Sequence, residues 1–140
     1  MYLVDTNTFS EARRSGAVGE AAREWMATVA FEGLFMSVIS DFELERGVLL
    51  LERRDLRQGI ALRQWLNGIR LQFGQRMLPV TAEIARICAA IQVPDRRPFP
   101  DALIAATALH HGLTVVTRNV RDFEVPGLAV INPCEGIDDV

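Results

Sequence analysis

The sequence contains no lysine: all 15 of its basic residues are arginines. Chemistry that depends on an ε-amine is therefore excluded. A P-loop is absent, because nothing matches G-x-x-x-x-G-K-[ST]. A phosphatase with an aspartyl nucleophile after its first strand calls for a D-x-D motif and a lysine, whereas Asp5 is followed by Thr6-Asn7. Cysteine is almost absent too. Neither Cys88 nor Cys134 has metal-ligand spacing with a histidine, and the pair reads as reduced thiols rather than a disulfide. No apolar run approaches the roughly 20 residues a membrane helix needs. Met1–Asp5 lacks the basic region and long apolar stretch of a signal peptide, so a cytoplasmic protein is expected. Positive charge is outweighed, 15 basic against 18 acidic residues for a net charge of −3. That argues against binding nucleic acid by charge alone. It leaves room for a nucleic-acid enzyme, since a cluster of metal-binding carboxylates itself lowers the net charge.

What is present is enough for a core: 140 residues, 49% hydrophobic and 24% charged, expected to form one domain over 1–140 without repeat or linker. Tyr2-Leu3-Val4 reads as a buried strand that ends in a turn at Asp5-Thr6-Asn7. A helix is expected from Glu20 to Phe31, ended by Gly33, then a strand at Leu34–Val38. Ser40 is expected to open a helix towards Arg53, and Asp55 another to about Phe73. Met77–Val80 reads as a short edge strand, and Thr81 as the cap of a helix to about Ile91. A connector with Pro94, Pro98 and Pro100 leads to an alanine-rich helix, Asp101–His111, closed by Gly112. Leu113–Val116 and Leu128–Ile131 complete the strands. Strands separated by helices predict an α/β fold, a central parallel β-sheet flanked by helices on both faces. In such sheets ligands bind beyond the carboxyl ends of the strands.

Acidic residues stand near those ends. Asp5 follows the first strand, Glu43 lies one turn into the helix after the second, and Asp122 lies just beyond Leu113–Val116. Asp101 opens the helix that leads into that same strand, and topology alone does not place it. Each has a structural explanation. Asp5 could stabilise a turn; Ser40 and Glu43 match a capping box; Asp101 could favour its helix start; Asp122 could be a turn residue. Taken jointly they mean something else. Two carboxylates 4 Å apart repel by about 4 kcal/mol at an effective dielectric near 20, so several converge only around a cation. Oxygen-only ligands suit Mg²⁺ or Mn²⁺, ions that orient a phosphodiester and acidify a bound water.

Four segments in order carry a resemblance: Tyr2-Leu3-Val4-Asp5-Thr6-Asn7; Ser37-Val38-Ile39-Ser40 with Glu43-Leu44-Glu45-Arg46-Gly47; Asp101–Ala108; and Val116-Thr117-Arg118-Asn119-Val120-Arg121-Asp122-Phe123. Together they resemble the PIN-domain family, and within it the VapC-like toxins of bacterial toxin–antitoxin pairs, from Tyr2 to about Pro133. The resemblance implies a PIN-like domain and a metal-dependent endoribonuclease that uses Mg²⁺ or Mn²⁺. It implies Asp5, Glu43 and Asp101 as core metal-binding acids, Asp122 completing the site, and Thr6 and Asn119 as groups that support those acids or position a water. It also implies an RNA substrate, a homodimer, a cognate VapB-like antitoxin that obstructs the site, and contact with DNA only through that antitoxin. The competing reading is a catalytically inactive PIN-like binding module that acts only through its partner.

Other residues point less sharply. Arg96 and Arg97 make the approach to Asp101 basic, and arginine pairs well with phosphate. His110 and His111 suit the negative end of a helix. Trp25 and Trp65 sit on apolar helical faces, and Leu49-Leu50-Leu51 reads as core or interface.

Overall fold

The computed structural model describes residues 1–135. Its strands are β1 (Tyr2–Val4), β2 (Leu34–Ser37), β3 (Met77–Leu78), β4 (Thr114–Val116) and β5 (Val130–Ile131). All pairings are parallel, in the spatial order β3-β2-β1-β4-β5. The helices are α1 (Thr6–Ala12), α2 (Ala17–Thr28), α3 (Val38–Arg54), α4 (Leu56–Phe73), α5 (Ala82–Ile91) and α6 (Phe99–His111).

The alternation of side chains along each strand buries both faces of the sheet. On one face, Leu3 and Val115 pack with Ile104, Ala105 and Ala108 of α6. On the other, Val4, Leu34 and Met36 pack with Phe9 of α1, Leu44 and Val48 of α3 and Leu66 and Phe73 of α4. Helices thus cover both faces, as the expected α/β architecture requires. In α6 every residue from Ala102 to Ala108 is buried, against the sheet on one side and α5 on the other. The helix closes at Gly112, whose φ of 66° is left-handed, a conformation that costs glycine little.

Several boundaries differ from expectation, each for a local reason. Asp5-Thr6-Asn7 is a helix start and not a turn. Asp5 caps α1 by accepting the Thr6 N–H, and Phe9 is buried on the second turn of that helix. The next helix begins at Ala17 rather than Glu20 and ends at Thr28; Gly33 closes a separate 3₁₀ turn, Phe31–Gly33. The Ser37 hydroxyl accepts the Ile39 N–H at 3.0 Å, so α3 starts ahead of Ser40. The proposed Ser40–Glu43 capping box therefore does not form. Helix α6 begins at Phe99, with Pro100 and Asp101 in its first turn. Leu49 and Leu50 are exposed, Trp25 packs edge-on against Tyr2, and the Arg13 guanidinium lies over Trp65. No helix among the described residues is long and apolar enough to cross a membrane.

Candidate active site

The strand order reverses at β1: the chain passes from β1 outward to β2 and β3, then returns to place β4 on the other side. The cleft beyond the carboxyl ends of β1 and β4 is thus the topological switch point, where sheets of this kind bind ligands. Val4 pairs with Val116, which sets Asp5 beside Thr117.

Asp5 is nearly inaccessible at 3% exposure, and both of its oxygens are engaged. Oδ1 accepts the Thr6 N–H at 2.8 Å, and Oδ2 accepts the Thr117 hydroxyl at 2.9 Å. Thr117 Oγ1 in turn accepts the Asn119 N–H at 3.0 Å, so the loop after β4 is braced against the Asp5 carboxylate. Thr6 Oγ1 lies 2.7 Å from Glu43 Oε1 and 2.8 Å from Ser40 Oγ. A hydroxyl has one proton, and a carboxylate only accepts. Thr6 therefore donates to Glu43, and Ser40 completes the chain. These bonds tie β1, α1 and α3 together at one point.

Electrostatics bring in the remaining acids. Burial pushes the Asp5 carboxyl up to about 7; repulsion from Asp101 and Glu43 adds to this, against the bonds from Thr117 and Thr6. Asp101 is raised to about 6, first by burial and then by repulsion from Asp122 and Glu43. The four acids thus form one interacting set, drawn from α1's cap, α3, α6 and the 3₁₀ turn Val120–Phe123. Asp101 and Asp122 are partly exposed, and their carboxylates make no hydrogen bond or ion pair among the described residues. The donor set, all carboxylate oxygens under mutual repulsion, fits a hard divalent cation in charge and chemistry. As they stand, no three His, Cys, Asp or Glu side chains among the described residues are gathered tightly enough to hold one ion.

Thr6 lies inside the site, and Asn119 touches it through its backbone while its side chain is exposed. Sequence reasoning missed three groups. Thr117 stands to β4 as Asp5 stands to β1, so the rule that pointed to strand ends also pointed to it. Ser40 is fully buried beside Thr6. Glu11 is 7% exposed, with Oε1 3.4 Å from Arg118 Nη1 and Oε2 without a partner among the described residues. Its signal was its place one turn after Thr8 on α1, legible only once that segment is read as a helix. His110 lies 3.7 Å from Glu83 and away from these acids in the chain's other half of α6.

A parallel α/β sheet with interacting acids at its switch point defines a class of domain, and the sequence places the chain within it. The profile of the PIN domain matches residues 2–127, so the chain belongs to the PIN-domain family. It is 33% identical over 138 residues to Toxin FitB of Neisseria gonorrhoeae, covering 95% of this chain and 98% of that protein. It is 30% identical over 143 residues to VapC ribonuclease Y4jK of Sinorhizobium fredii, covering 96% and 99%. Plasmid stability protein StbB of Pseudomonas syringae pv. tomato is 35% identical over 144 residues, covering 96% and 99%. Among solved structures, FitAcB from Neisseria gonorrhoeae superposes with a TM-score of 0.88 at 33% identity, covering 96% of this chain and 99% of that one. FitAB bound to the IR36 DNA fragment gives 0.88 at 30% identity, with both chains fully covered.

Proposed function

We propose that this protein is a metal-dependent endoribonuclease, the toxin of a toxin–antitoxin pair, with Asp5, Glu43, Asp101 and Asp122 as the residues that hold Mg²⁺ or Mn²⁺. The observation that carries this reading is the set of acids brought together at the switch point, with Asp5 raised to about 7 and Asp101 to about 6, each first by burial and further by repulsion from other acids of the set. A bound divalent ion would orient the RNA phosphodiester, acidify a water and stabilise the leaving oxygen. The chain's own residues supply the frame. Thr117 and the Thr6 amide fix both oxygens of Asp5, and the Thr6 hydroxyl fixes Glu43. Asp101 and Asp122, partly exposed and with carboxylates free of hydrogen bonds among the described residues, are the acids left to meet the ion and substrate. Asn119 steadies Thr117 from behind.

The solved relative FitAB, bound to a DNA fragment, supports a cognate antitoxin as partner and contact with DNA through it; the same reading takes the protein to be a cytoplasmic homodimer. The test is cleavage of a pool of cellular RNAs by purified protein with Mn²⁺, Mg²⁺ or EDTA, beside Asp101→Asn. Discrete cuts that require metal and vanish in the variant support the reading. Identical behaviour of the two proteins removes it and leaves a binding module that acts through its partner.

A further inference from the structure

Beside the acids lies a polar cleft of about 350 Å³ lined by Arg118, Asn119, Val120, Arg121 and Asp122. Its floor is the 3₁₀ turn Val120–Phe123, which is firmly held. Phe123 is 1% exposed in the core against Leu3 and Ile104, and the Asp122 N–H donates to the Asn119 carbonyl at 3.0 Å. Arg118 is occupied by Glu11. Arg121 is different: it is exposed and forms no hydrogen bond or ion pair among the described residues, although Asp122 is its neighbour in sequence. An uncommitted guanidinium on a rigid turn, one residue from a carboxylate of the acidic set, marks where a polyanion can be held next to groups that otherwise repel it.

We propose that this cleft binds a backbone phosphate of single-stranded RNA flanking the scissile bond, with Arg121 as the phosphate-contacting residue and the Asn119 side chain as a neighbouring hydrogen-bond donor. The inference rests on the nuclease reading for the scissile bond, but not for the binding itself. Guanidinium suits phosphate because its fork of N–H groups meets two oxygens at once. A net charge of −3 argues against binding RNA by overall charge, which gives a local cation beside the acids more weight. Arg97 is less available than Arg121, since its Nε donates to the Ile91 carbonyl at 3.3 Å.

The experiment measures fluorescence anisotropy of a labelled single-stranded RNA decamer with Asp101→Asn protein in Mg²⁺, where cleavage is silenced. The same background is then examined with Arg121→Ala, with Arg121→Lys and with Arg54→Ala. Arg54 is an exposed control at the far end of α3, 17 residues long. Arg121→Ala is expected to weaken binding about tenfold. It should also flatten the slope of log Kd against log salt by about 0.7, the loss of one phosphate contact to a single strand. Arg121→Lys should restore the salt slope and part of the affinity, and Arg54→Ala should change neither. In the cleaving protein, Arg121→Ala should raise KM with little change in kcat. Equal affinity and equal salt slope for Arg121→Ala and its background overturn the inference, as does an equal loss with Arg54→Ala. If the parent never cleaves RNA yet binding depends on Arg121, the nuclease reading fails and the cleft stands. If the parent cleaves and Arg121→Ala is indistinguishable from it, only the cleft fails.

Discussion

Replacing Asp5 with asparagine should make the metal-free protein more stable at alkaline pH. The native state holds the Asp5 proton up to about pH 7, whereas an ordinary aspartate releases it near 3.8. The native state therefore binds the extra proton between those values, and stability falls as pH rises through that window. The contribution is fully present below 3.8 and lost above about 7. At 1.36 kcal/mol per pKa unit, the loss at pH 8 is about 4 kcal/mol. Asparagine removes this cost. It keeps an oxygen for the Thr6 N–H but presents an amide in place of the acceptor for the Thr117 hydroxyl, which gives back about 1 kcal/mol. The net gain at pH 8 is about 3 kcal/mol. With an unfolding entropy near 0.3 kcal/mol per degree for a chain of 140 residues, that is about 10 °C in Tm. At pH 5, where native Asp5 is largely protonated, the gap should shrink to a few degrees. Mn²⁺ at about a thousand times its Kd should reverse the order, since it adds about 4.1 kcal/mol to the parent and nothing to a variant that does not bind. Differential scanning calorimetry of both proteins at pH 8 and pH 5, in EDTA and in Mn²⁺, reads all four gaps. An Asn variant that melts below the parent at pH 8 in EDTA, or a gap that does not change with pH, would refute the reasoning and leave Asp5 as a helix cap alone.

Phe9→Ala should cost about 3–5 kcal/mol in urea melts, because the ring is 1% exposed and meets Phe73 edge-on at 5.4 Å, joining α1 to α4. Gly59→Ala should lower stability by about 1–3 kcal/mol despite alanine's better helix propensity, because a Cβ there would meet Glu52 Cα at 2.7 Å where α3 and α4 cross; an unchanged or raised Tm would show that the crossing yields. Glu45→Gln should destabilise the protein above pH 5 and match the parent near pH 2. Hydrogen bonds from Arg63 and then Arg70 hold the Glu45 carboxyl down at about 2, so its contribution is present above its ordinary 4.5 and lost as pH falls towards 2. The side chain is 30% exposed, so the effect should weaken in high salt.

The strands were legible because each is a short run of large apolar residues bounded by polar ones, and β1 and β4 needed no more than that. The helix start at Asp55, the cap at Thr81 and the stop at Gly112 were legible from side-chain chemistry alone, and the structure makes Asp55 itself a cap. Helix α1 was not. Thr6, Asn7, Thr8 and Ser10 are weak helix formers, and what holds the segment is tertiary: Phe9 in the core and Thr8 donating to the Val116 carbonyl at 3.1 Å. The start of α3 went to Ser40 instead of Ser37 because either serine can cap, and only the buried contact between Ser40 and Thr6 decides between them. The four acids were visible as residues, and Asp5, Glu43 and Asp122 also as positions. The placement of Asp101 beside Asp122 was not, because it depends on how α6 lies across the sheet, and local sequence does not encode that angle.

The bond from Thr117 to Asp5 spans 112 residues. The acids themselves are spread over four separate stretches, from the first turn of the chain to residue 122. A ribosome releases the chain from its amino end, so Asp5 emerges well ahead of β4 and waits for its brace until β4 has emerged and docked. Any chain stopped before that point lacks the hydroxyl that fixes Asp5, and one stopped before Asp122 lacks an acid as well. The order of synthesis thus makes the centre a late part of the fold to be assembled: a chain stopped short of it, still attached to a ribosome and its message, carries pieces of the centre without the centre itself.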